Sequence, residues 1–287
     1  MRTVMVLEQN LEDNFVAVMV VLLTLFIGGL IIYKLFLFFE MAYVEYINKQ
    51  LFFNHIYFKK RHLDPRYAYF LRKQFNFYQR LNHRQQKNFE HRTQRFIDNK
   101  QFIGKGVLVT DEMKVVIAAT ATKITFGLRD YKLPLLNKVL IYPDAYFSTT
   151  NEVYHKGEFN PAYRALVFSW KHVVEGYEIH DDNINLAIHE TVHAIHFNYL
   201  RKRSKSSSAA IFLDSYNELA KFLNDNHHYR NNLMGSDYLR AYAHTNQFEF
   251  LAVLIETFIE TPNEFQNLYP EIYIKIKQML NFNFRGY

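Results

Sequence analysis

Cysteine is absent from the 287 residues, which excludes a disulfide framework, thiolate zinc fingers, iron–sulfur clusters and a cysteine nucleophile. Any metal must therefore sit on nitrogen and oxygen. Tryptophan occurs once, although Phe (27) and Tyr (21) are abundant. Charge is missing from Phe15 to Tyr33, a run of 19 residues, and acids are nearly missing from residues 59 to 95, where 11 Lys or Arg face only Asp64 and Glu90. No internal repeat is visible, and no helix-turn-helix, RNP or zinc-knuckle pattern accompanies the basic stretch, so no specific nucleic-acid partner is expected. With 49% hydrophobic and 22% charged residues, the chain can bury a sizeable core and is not a disordered polymer.

The uncharged run would cross about 28 Å as a helix, close to the hydrocarbon thickness of a bilayer. A cleaved signal peptide has a shorter apolar core behind a basic leader; here Glu8, Glu12 and Asp13 come first. The expected organisation is an N-terminal segment with one transmembrane anchor (1–40, membrane contact through 15–39) and a soluble domain (41–287), itself a basic helical region (41–100) and a core (101–287). Lys34, Lys49, Lys59, Lys60, Arg61 and Arg66 follow the run while only Arg2 precedes it, which predicts a single-pass membrane protein with its main body in the cytoplasm. The basic stretch reads as a solvated face near an anionic leaflet.

In the soluble part the pattern predicts helix to about Phe58, basic helices to about Lys100 with a break at Pro65, and a helix capped at Thr110–Asp111. Lys138–Pro143 and Ala165–Trp170 read as short strands with a loop between them. Arg201–Ser208 (RKRSKSSS) reads as a flexible loop, and the remainder as helix. This order indicates an α+β fold, mostly helical with a small sheet.

One constellation carries chemistry: His189-Glu190-Thr191-Val192-His193, an HExxH motif. Four residues apart on a helix, the two imidazoles share a face and can share a metal, while Glu190 can reach a water on that metal. A catalytic zinc needs a third protein ligand. Position 199, where a metzincin would place a histidine, is Tyr199, which excludes that spacing. Glu249, an acid inside the apolar run Gln247–Val253, is the leading candidate, with Glu256, Glu260 and His196 as alternatives; Glu256 would otherwise orient a ligand histidine.

The blocks FIDNKQFIGKGVLVTDEMKVVIAATA, LNKVLIYPDAYF, LVFSWKHV, NLAIHETVH and YAHTNQFEFLAVLIETFIETPNEF resemble, in order and spacing, the Mlc titration factor A-like zinc peptidases, whose metal site is similar to that of anthrax lethal factor. The resemblance implies a zincin-like, gluzincin-type metallopeptidase domain binding one Zn2+ per chain. His189, His193 and Glu249 would be the metal ligands and Glu190 the base. Tyr242, seven residues before Glu249, would line the site and support the oxyanion. Ala165–Trp170 resembles the edge strand along which such enzymes bind extended substrate. The expected activity is hydrolysis of a peptide or protein substrate by a Glu-activated, zinc-bound water. The alternative is a regulatory protein of the same fold that captures a cytoplasmic partner such as a transcriptional regulator.

Overall fold

A computed structural model describes residues 2–148, 153–178, 185–236, 238–239 and 246–287. The chain divides into two units, Met1–Asn48 and Lys49–Tyr287. The first is helix α1 (Arg2–Tyr46), in which Asn14–Tyr46 is long and apolar enough to cross a membrane. The helix stops at Tyr46 rather than near Phe58. Residues 47–64 are irregular because tertiary bonds claim them: Asn54 donates to the Gly127 carbonyl at 3.0 Å and its own carbonyl accepts from Arg92 at 2.9 Å.

The second unit begins with α2 (Pro65–Gln74), α3 (Asn76–Arg80) and α4 (His83–Asn99). Pro65 opens α2 instead of breaking a helix, since its missing N–H falls at a position with no intrahelical partner, and Asp64 caps it by accepting from the Arg66 amide at 2.9 Å. Asn82 and Gln85 close a capping box on α4. Strand β1 (Gln101–Gly104), absent from the sequence expectation, leads to α5 (Asp111–Ile124), whose cap is Thr110 as expected.

The main sheet has the order β1–β2–β6–β5, with β2 at Lys138–Tyr142, β6 at Ala165–Ser169 and β5 at Gly157–Asn160. The first three strands are parallel and β5 runs antiparallel to β6. The stretch expected to be a loop thus contains β5 and a separate hairpin, β3 (Tyr146–Ser148) with β4 (Val153–His155). These strands are short and at most half-buried, so they lack the apolar alternation that marks a strand in sequence. The edge-strand assignment also changes. Strand β6 lies inside the sheet with all five residues buried, and β5 is the edge.

Helices α6 (Trp170–Glu178), α7 (Leu186–Leu200), α8 (Ser207–Asp225), α9 (His227–Gly235), α10 (Gln247–Glu260), α11 (Pro262–Leu268) and α12 (Pro270–Met279) follow. Helix α7 packs against β5 and β6, α5, α8 and α10, and its own Ala187, Ala194 and Ile195 are fully buried with Leu251, Leu254 and Phe258 of α10. The Arg201–Ser208 segment is ordered structure rather than a loop. Arg203–Lys205 is a 3-10 turn, Ser206 caps α8, and Ser207 and Ser208 are buried in its first turn. The domain is zincin-like: mostly helical, with a small sheet beside the motif helix.

Candidate metal centre

Helix α7 starts where the Asn185 side chain accepts from the Ile188 amide at 3.1 Å while its amide group donates to the Gly176 carbonyl at 2.8 Å. One turn in, His189 and His193 project together, their Nε2 atoms 3.2 Å apart. Helix α10 starts at Asn246, whose side-chain oxygen accepts from the amides of Phe248 and Glu249. That cap sets Glu249 in the first turn, facing α7. Its Oε2 lies 2.8 Å from His189 Nε2 and its Oε1 3.4 Å from His193 Nε2. One ligand atom from each of the three residues falls within 4.8 Å of the others.

Glu256, two turns along α10 and fully buried, places Oε2 3.5 Å from His189 Nδ1 and accepts from the Asn185 backbone amide. One carboxylate thereby ties the motif helix cap to the ring it positions. Glu256 faces Nδ1 and Glu249 faces Nε2, so a cation that replaces the Nε2 proton would meet the second carboxylate directly. Two imidazoles and one carboxylate make a donor set suited to a borderline divalent ion. Burial pulls the His189 imidazole down, but the carboxylates of Glu249, Glu256 and Glu190 outweigh it and hold it up at about 9. Burial would raise Glu249, and the two histidines reverse this, bringing it to about 2.

Glu190 faces the sheet. Its carboxylate accepts from the Phe159 amide of β5, and burial raises its pKa despite the nearby histidines. A Cβ on Gly157 would sit 2.7 Å from Leu186 Cδ1 and 3.2 Å from Glu190 Cγ, so a larger residue there would push the Leu186 side chain aside and crowd Glu190. Sequence reasoning missed both contacts; an isolated glycine in GEFN was the available signal. Tyr146 was also missed. Its hydroxyl is buried without a hydrogen-bond partner among the described residues, and burial together with the charges of Glu158 and Glu190 pushes it far up, so it stays protonated.

The alternatives lie elsewhere. His196 is buried among Phe212, Tyr216 and Phe248, with ring centroids 5.1–6.0 Å away, and burial beside His193 lowers it to about 4. Glu260 lines a cavity of about 400 Å³ with Lys123 and Tyr177. Tyr242 lies outside the described residues.

The model of the glucose-regulated metallo-peptidase M90 family matches residues 51–281. The chain belongs to this family. As an M90 metallopeptidase it is a peptidase that uses a metal, and the matched segment contains α7, α10 and the sheet. It is also similar to the uncharacterized protein slr2042 of Synechocystis, with 28% identity over 252 residues, 80% of this chain and 86% of that protein.

Proposed function

We propose that this M90 peptidase is a membrane-anchored zinc enzyme acting in the cytoplasm, with His189, His193 and Glu249 as ligands and Glu190 as the base. The observation that carries the reading is the convergence of the three ligand atoms from α7 and α10. Zinc, when bound, would supply Lewis acidity to a water and to the peptide carbonyl. Glu190 takes the proton of the attacking water and returns it to the leaving amine, its carboxylate steadied by the Phe159 amide. Tyr242 is kept as the donor to the oxyanion.

The substrate is an extended peptide that adds to β5. The Ser169 amide donates to the Lys156 carbonyl at 2.7 Å, and with the pairing Gly157↔Phe168 and Phe159↔Leu166 this turns the main-chain groups of Gly157 and Phe159 away from β6. Glu190 takes the Phe159 N–H, and Gly157 offers its N–H and carbonyl to a peptide. The basic residues after α1 support the cytoplasmic orientation.

Glu190→Gln keeps size and hydrogen-bonding shape but removes the base. Metal content and melting temperature should stay at wild-type values while peptide hydrolysis drops by several orders of magnitude. Wild-type turnover in that variant would remove Glu190 from the chemistry. Rescue of a deletion strain by the zinc-loaded, hydrolysis-dead protein would transfer the biological role to partner capture.

A further inference from the structure

Residues 51–63 form an irregular segment whose side chains alternate sharply in fate. Leu51 and Leu63 are buried, Tyr57 Oη accepts from Arg92 Nε at 2.6 Å, and Asn54 is bonded through both its side chain and its carbonyl. Between these fixed points Ile56 is 63% exposed and Phe58 fully exposed, with Phe52 about half exposed. Lys59, Lys60 and Arg61 follow at once, all exposed, and none has a carboxylate within ion-pair distance among the described residues. A folded unit seldom holds a loop so firmly only to turn Ile and Phe outward beside three consecutive exposed cations.

We infer that the loop carrying Ile56, Phe58, Lys59, Lys60 and Arg61 is a membrane-docking surface of the Lys49–Tyr287 unit, fitted to an anionic lipid bilayer. The apolar side chains would enter the headgroup boundary and the cations would meet anionic headgroups. Either contribution alone is weak. The inference rests on α1 being a membrane anchor, because a span ending near Phe39 tethers Phe58 by under twenty residues and so raises its local concentration at the surface. Docking would restrict how the peptidase unit is presented above the membrane, favouring substrates close to the leaflet.

The chain's single tryptophan makes the test direct. In full-length Trp170→Phe protein, a reporter tryptophan is placed by Phe58→Trp or, as reference, by Leu25→Trp. Each protein is reconstituted in vesicles of phosphatidylcholine alone or with about 30% phosphatidylserine, with brominated acyl chains as quencher. The expected result is strong quenching at residue 25 in both lipids, and at residue 58 quenching that grows at least about twofold with phosphatidylserine and is lost in Lys59→Gln/Lys60→Gln/Arg61→Gln or at high salt. Quenching at residue 25 without quenching at 58 overturns the docking surface and leaves the anchor standing. Absence of quenching at both positions removes the anchor and the docking surface with it. Equal quenching at 58 in both lipids overturns the assignment to anionic headgroups. Should Trp170→Phe fail to fold, the absence of cysteine allows Phe58→Cys and Leu25→Cys to carry an environment-sensitive label in its place.

Discussion

Two buried polar clusters in the same unit treat their histidines in opposite ways. Around Arg92, the guanidinium donates to Tyr57 Oη and to the carbonyls of Thr125 and Asn54 at 2.6–2.9 Å and lies 4.4 Å from the centroid of Tyr131. His91 Nδ1 accepts the Arg61 amide at 2.7 Å. Burial, with Arg92 and other cations nearby, brings His55 down to about 3 and His91 to about 4. Each guanidinium nitrogen of Arg92 finds an oxygen, and the rings stay neutral. At the α7–α10 contact, carboxylates face both nitrogens of His189, and ligand atoms of three residues gather at one place. The first cluster spends its guanidinium on oxygens of a loop and fastens it; the second gathers ligand atoms of three residues at a common point, which is what a metal site requires.

The largest expected effects separate the clusters completely. His193→Ala or Glu249→Ala should lose the metal, because two remaining ligands hold such an ion poorly, and hydrolysis should vanish with it. Full metal occupancy in Glu249→Ala, measured by elemental analysis of the purified protein, would return the third ligand to an open question. Arg92→Met should do the reverse. It keeps the aliphatic stem but strands several carbonyl oxygens and Tyr57, so stability should fall by about 3–5 kcal/mol in denaturant unfolding while the folded fraction retains its metal. A smaller loss than about 1 kcal/mol would show that the Arg92 cluster is not the fastener described.

Acid should act on the two clusters through different protons. His55 and His91 have folded-state values depressed below the ordinary histidine value, so the unfolded chain takes up their protons first. Their contribution to stability is present above about pH 6.5 and is lost as pH falls through about 4 and then 3. Denaturant midpoints measured in chelated protein from pH 6.5 to 4.5, below the window in which His189, held up at about 9, adds stability on acidification, should therefore decline, and the decline should be shallower in His91→Gln. Metal occupancy should fall over the same range for a separate reason, since imidazole must shed its proton to bind. A flat midpoint would leave the neutral rings unsupported.

Legibility in the sequence followed locality. His189 and His193 could be paired on paper because helical spacing states its own geometry, and Thr110, β2 and β6 announced themselves by a cap residue and apolar runs. Glu249 needed a second helix to be brought across α7, so the sequence left it among several acids. The edge strand was misread for a physical reason. Ala165–Phe168 is apolar throughout, which marks a strand covered on both faces, whereas the edge strand Gly157–Asn160 is half-buried and sets a single Phe159 between Glu158 and Asn160, too short a run for its alternation to register. Residues 47–64 looked helical because their apolar content was visible and their anchor, Arg92, was far along the chain.

The serines of Arg201–Ser208 test the Arg92 cluster from its rim, with the smallest expected effect. Ser206 Oγ accepts the Ala209 amide at 3.0 Å and donates to the Asp130 carboxylate; Ser208 Oγ accepts the Arg129 amide at 3.0 Å. Both hold the turn that carries Tyr131 under Arg92, and Tyr199 of α7 donates to the Asp130 carbonyl at 3.0 Å. Ser206→Ala removes one helix cap and one bond to Asp130 and should cost about 1 kcal/mol. Because the lost bonds bear on Tyr131 and not on His189, Glu249 or Glu256, peptide turnover and metal content should remain at wild-type levels. Limited proteolysis should become faster near residues 128–131 and 201–206. A variant as stable and as resistant as the wild type would mean that the turn is held by Tyr199 and the Arg92–Tyr131 contact alone, and a loss of metal would mean that the two clusters are mechanically joined through α7.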